Sequence, residues 1–70
     1  MTGIEIGNII RERRKFLKIT QSALSEITGI SHHTLTNIES GKGNPTVEIL
    51  EKILNTLGME LNIRIRNKRL

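Results

Sequence analysis

Apolar residues recur at helical spacing through most of the chain and switch to strict alternation near its end. Ile6, Ile9, Ile10, Arg13 or Arg14, and Leu17 fall three or four apart. This spacing predicts a first helix from Ile4 to about Leu17, with Arg11, Glu12 and Lys15 on its outer face. Gly7 costs a helix up to about 1 kcal/mol relative to Ala, so its presence predicts a close packing contact. Ile19 is an expected core residue just before Thr20, a good N-cap for a short second helix carrying Leu24 and Ile27. Thr28-Gly29-Ile30 breaks that pattern. Ser31 then caps a third helix with Leu35 and Ile38 on one side, and Gly41 ends it. Thr46 caps a fourth, with Glu48 near its positive end and Gly58 past its close. Val47, Leu50, Ile53, Leu54 and Leu57 form its apolar stripe. These are expected to make the core with Ile10, Leu17, Leu24, Ile30, Leu35 and Ile38.

Beyond Gly58 the period changes from 3.6 to 2. Met59, Leu61, Ile63 and Ile65 alternate with Glu60, Asn62, Arg64 and Arg66, which predicts a half-buried β-strand over residues 59–65. It is the only strand signal in the sequence. A lone strand leaves backbone groups without partners, and a second copy of the chain supplies an antiparallel one. The expected architecture is therefore mainly α: four helices over residues 1–58, then a strand and basic tail over 59–70 that pairs across a homodimer. Met59, Leu61, Ile63 and Ile65 would lie on the helices, with Arg64 and Arg66 outward.

Residues 20–42 form a helix, a glycine-containing turn of about four residues and a second helix, which is a helix-turn-helix unit. In such units the second helix enters the DNA major groove. At about 100° per residue, Leu35, Ile38 and the flank carrying Glu39 face the protein. The opposite ridge carries His33, Thr36, Asn37 and Ser40, with His32 and Thr34 at its edges. All have hydrogen-bonding groups and none is an acid. A ridge chosen only for helicity would favour Glu, Lys, Ala and Arg, so contact chemistry is implied. Asn37 stands out, because its amide can pair bidentately with adenine.

Charge changes the picture further. The net charge is +4 and the pI about 10.1. The cations gather in Arg11, Arg13, Arg14, Lys15 and Lys18, and again in Arg64, Arg66, Lys68 and Arg69. Two basic clusters suit a polyanion, although solubility alone explains the tail as well. Phe16 is the single aromatic residue, so the stacking platforms of single-strand and RNA readers are missing. With no cysteine there is no disulfide, thiol catalysis or thiolate-bound zinc. No apolar run approaches a membrane span of ~18 residues, and no signal peptide is evident, so a soluble cytoplasmic protein is expected. Seventy residues bury only about 60% of their unfolded surface, which makes oligomerisation a natural remedy.

The chain resembles the Xre/Cro-type, phage-repressor-like helix-turn-helix proteins. The resemblance rests on Ile6-Gly7, Ile10-Arg11, Arg14-Lys15, Thr20-Gln21, Leu24, Gly29-Ile30-Ser31, Ile38-Glu39-Ser40-Gly41-Lys42, Asn44-Pro45-Thr46 and Leu57-Gly58. It implies that Gln21 binds a DNA phosphate, that His32, His33, Thr36 and Asn37 face base edges, and that Lys42 lies by the backbone. Ser40 joins the expected base contacts, and Ser31, Thr34, Arg11 and Lys15 the backbone contacts. The resemblance also pairs Arg14 with Glu39, and both lie on core-facing flanks. Lys18 stands where the family often has Gly, and Ser25 where it often has Ala. The terminal strand resembles the HipB-like antitoxin branch, which implies a toxin protein as a further partner.

The expected function is sequence-specific binding of double-stranded DNA, as a repressor on a palindromic operator. The alternative is an antitoxin or adaptor whose main role is to bind a partner protein. Steep weakening by salt would mark DNA binding. Enzymatic activity is not expected, because Asp is absent and the Glu residues show no pairing around a polar cleft. Neither a cofactor nor a metal is expected: His32 and His33 are adjacent and diverge by about 100°, unlike an i, i+4 ligand pair.

Overall fold

The computed structural model describes residues 2–66 and places four helices there: α1 Gly3–Phe16, α2 Gln21–Thr28, α3 His32–Glu39 and α4 Val47–Thr56. Each starts on a hydroxyl. Thr2, Thr20, Ser31 and Thr46 accept from the backbone N–H groups of Glu5, Ala23, Thr34 and Ile49. These caps satisfy donors that a helix leaves without partners. At α1 the cap is reciprocal, since Glu5 Oε1 accepts from the Thr2 N–H at 2.9 Å, and the helix starts one residue before the predicted position. Leu17 is already its C-cap. The turn after it bonds Lys18 N–H to Lys15 O and Ile19 N–H to Arg14 O, which closes the helix.

α1 packs across α3, α3 against α2, and α2 against α4. Ile10, Leu24, Leu35, Ile53 and Leu57 are fully buried at the centre, with Ile30, Ile38, Leu50 and Leu54 nearly so. Ile6, Ile19, Ile49 and Met59 pack around them. Two expected core residues lie outside. Leu17 is turned out by the bend that ends α1, and Val47 opens α4 on its solvent side at 60% exposure.

α1 approaches the end of α3 closely. A Cβ on Gly7 would strike Ile38 O and lie 2.8 Å from Glu39 O. Gly41, just past α3, has φ +79°, and its missing Cβ makes room for Ile4. Two glycines thus set how closely α1 clamps α3.

The predicted strand is absent: residues 59–66 form no strand. A strand requires a ladder, and no second extended segment among the described residues offers one. Only Met59 of the alternating set packs on the core. Leu61 edges an apolar groove of about 290 Å³ with Ile6, Ile9, Leu50 and Leu54, while Ile63 and Ile65 stand in solvent at 91% and 87% exposure. Arg64 and Arg66 are exposed, and Lys68 and Arg69 lie outside the described residues. Among the described residues no helix is long and apolar enough to cross a membrane.

Candidate nucleic-acid interface

Between α2 and α3 the chain reverses in three residues, and side chains lock the turn from within. Gly29 adopts φ +75° and its N–H returns to Ser25 O. Thr28, 6% exposed, donates from Oγ1 to Leu24 O at 2.7 Å and accepts the Ile30 N–H at 3.2 Å. Ser25 Oγ donates to Ile30 O at 2.6 Å. These two hydroxyls hold α3 at a fixed angle to α2, and sequence reasoning assigned them no role. A hydroxyl on the last helical residue before a glycine was the available signal for Thr28.

The outward ridge of α3 carries His32, His33, Thr36 and Ser40 exposed, with Thr34 and Asn37 half-buried beside them. Not all are equally free. Asn37 Nδ2 lies 3.3 Å from His33 Nε2, one helical turn apart. Ser31 Oγ caps α3 and gives its proton to Thr34 Oγ1 at 2.9 Å. Ser40 Oγ folds back onto its own helix, donating to Thr36 O and Asn37 O. Both carbonyls already accept a backbone N–H, from Ser40 and Lys42, so the hydroxyl adds a second bond to each. Thr34, Asn37, Lys42, Asn44 and Thr46 line one cleft of about 220 Å³ between α3 and the start of α4.

Behind the ridge lies a charged network. Arg14 donates from Nε and Nη2 to both carboxylate oxygens of Glu39, at 2.7 and 3.0 Å, and from Nη1 to Ile19 O at 2.9 Å. Glu39 is 4% exposed. Burial pushes its carboxyl up, but the hydrogen bonds from Arg14 and Gln21 and the charges of Arg14 and Arg11 outweigh this and hold it below the usual carboxylate range. The hydrogen bond to Glu39 in turn raises the Arg14 guanidinium. Gln21 Nε2 donates to Glu39 Oε1 at 3.0 Å, and Thr36 Oγ1 donates to Gln21 Oε1 at 3.2 Å. Both ends of the Gln21 amide are therefore engaged, the nitrogen by buried Glu39 and the oxygen by Thr36 of the ridge.

The cations differ as well. Lys15 and Lys42 are exposed, whereas Arg11 is half-buried and donates from Nη2 to Asn8 Oδ1 at 2.6 Å. Arg13, also half-buried, donates to Leu57 O at the end of α4 and lies over the Phe16 ring, so it ties α1 to α4. Helical spacing alone left Arg13 or Arg14 at the core-facing position, and the family resemblance pointed to Arg14. Both do, toward different helices.

Residues 10–63 match the helix-turn-helix family. An uncharacterised HTH-type transcriptional regulator of Methanothermobacter thermautotrophicus is 36% identical over 52 residues, covering 74% of this chain and 75% of that protein. The ImmF control region 10 kDa protein of Bacillus phage phi105 is 27% identical, covering 90% of this chain and 70% of its own. Among solved structures, the restriction-modification controller protein C.AhdI of Aeromonas hydrophila superposes with a TM-score of 0.78 at 22% identity, over 83% of this chain and 88% of its own. Four capped helices, a locked turn and these relatives agree. The chain belongs to the helix-turn-helix family of DNA-binding transcriptional regulators.

Proposed function

We propose that the protein is a repressor that binds a palindromic duplex operator as a homodimer, with α3 in the major groove. The observation that carries this reading is the ridge of α3: His32, His33, Thr36 and Asn37 are polar, free of acids and backed by a rigid network. Asn37 and His33 read bases in this arrangement. Lys42, Lys15 and the N-terminal ends of α2 and α3, at Gln21 and Ser31, hold phosphates. Thr34 and Arg11 stand at the edges of that backbone contact.

The dimer is supported by the tail. Leu61 at the edge of an apolar groove, with Ile63 and Ile65 further along the chain, are exposed apolar side chains that a second copy would cover. A two-fold pair presents two α3 helices to half-sites about 34 Å apart, one turn of DNA. Similarity to the ImmF control region protein of phage phi105 supports a role in control.

Selection from a random duplex library tests the reading. An inverted repeat of half-sites spaced by one turn is the expected product. Recovery of unrelated sequences, or of a single asymmetric site, would refute it. Should the tail serve another protein, as the antitoxin resemblance implies, the chain alone would sediment as a monomer.

A further inference from the structure

Hydrogen-bond polarity runs outward from the core to the recognition ridge along one set of groups. Glu39 is buried opposite Arg14 and ionised, so its oxygens only accept. The Gln21 atom 3.0 Å from Oε1 is therefore the amide nitrogen, which turns the Gln21 oxygen toward α3. That oxygen also only accepts, so Thr36 Oγ1, 3.2 Å away, gives it the single hydroxyl proton. Thr36 is exposed on the ridge. What it keeps for a groove is a pair of lone pairs and a methyl group.

We propose that Gln21 is a positioning residue that makes Thr36 an acceptor-and-methyl reader, selecting an A·T pair at one position of each half-site. The inference rests on α3 being the groove helix. In the major groove an A·T pair offers the adenine N7 and thymine O4 acceptors, the adenine N6 donor and the thymine methyl. A G·C pair offers two guanine acceptors, one cytosine donor and no methyl. A threonine free to turn its hydroxyl serves both pairs. With the proton held by Gln21 the hydroxyl can serve no base acceptor; what remains for Thr36 to meet is an adenine or cytosine amino group and a thymine methyl, and only A·T has both. This role differs from phosphate binding by Gln21, which would raise affinity for all sequences alike.

The same library selection, run on wild type, Gln21→Leu and Thr36→Val, decides the matter. Wild type should prefer A·T at one position by about tenfold, a typical single-contact discrimination. Gln21→Leu frees the proton, so the preference there should fall to about twofold while other positions keep theirs. Thr36→Val supplies a methyl and no donor on the exposed ridge, and should hold the A·T preference within about twofold of wild type. It keeps the Arg14–Glu39–Gln21 bonds and removes only the exposed Thr36 donor, so it tests the idea even where Gln21→Leu folds poorly. Uniform loss across all sequences in Gln21→Leu, with every base preference retained, overturns the proposal. So does loss of the A·T preference in Thr36→Val. A wild-type protein that selects no sequence overturns the groove reading itself and the inference with it.

Discussion

Arg14 and Glu39 join α1 to the last residue of α3 through two parallel hydrogen bonds between side chains that are only 12% and 4% exposed. Removing one side leaves a buried charge unpaired, so Glu39→Gln should cost about 3–5 kcal/mol in urea unfolding. That is a large share of the stability of so small a domain. The carboxyl of Glu39 is lowered in the fold, so the unfolded chain binds the proton more tightly. Stability from this group is thus fully present above the unfolded value of about 4.3 and is lost as pH falls through the folded value. Glu39→Gln should flatten the acid limb of the stability profile. An unchanged acid limb would assign it to other carboxylates such as Glu5, which is also lowered.

Gly7 faces the carbonyls of Ile38 and Glu39 with no room for a methyl group. Alanine is favoured over glycine in an isolated helix by about 1 kcal/mol, yet here the clash should dominate. Gly7→Ala should destabilise by about 1–3 kcal/mol net, because α1 must back away from α3. A more stable variant would show that α1 tolerates the shift.

Much of this was legible in the sequence, for physical reasons that differ by element. The caps Thr20, Ser31 and Thr46 announce themselves because a hydroxyl before an apolar period has one favoured use. Gly7 signalled close approach because it goes against helix propensity, and Gly41 marked the end of α3 because glycine accepts a positive φ. The terminal strand failed because alternation reports only which side chains share a face. Whether a ladder forms depends on a partner that the pattern cannot supply, and Ile63 and Ile65 stand exposed as a result. Gln21 was harder still. Its inward pairing depends on the buried charge of Glu39, eighteen residues away, and a single sequence does not encode that distance.

Lys18 has φ +58° and occupies the turn position that Gly41 and Gly58 fill after α3 and α4. A left-handed residue with a Cβ costs about 1–2 kcal/mol, partly offset by the backbone entropy that glycine loses. Lys18→Gly should therefore stabilise the fold by about 0.5–1 kcal/mol, read as a rise of a few degrees, roughly 2–8 °C, in the unfolding midpoint. A fall in the midpoint would mean that the lysine stem packs on α1.

Asn37 and Lys42 line the same cleft but should fail differently. Asn37→Ala should weaken binding at the cognate site by about 1–3 kcal/mol and random duplex hardly at all. Lys42→Ala should weaken both and lower the salt slope by about one. Equal losses on both duplexes for Asn37→Ala would move that residue to the backbone.

The tail gives the sharpest contrast between one chain and two. Ile63 and Ile65 are almost fully exposed in the single chain, so replacing both with lysine removes no intrachain contact. The helical core should then unfold within about 0.5 kcal/mol of wild type at matched subunit association. In the dimer the same positions would meet apolar groups and the partner's basic tail. Two added charges there would be desolvated and repelled by Arg64 and Arg66 of the tail itself. Ile63→Lys with Ile65→Lys should thus shift sedimentation toward the monomer and abolish selection of the paired half-sites, while binding to one half-site persists weakly. A double variant as dimeric as wild type would place the interface elsewhere, on the helices.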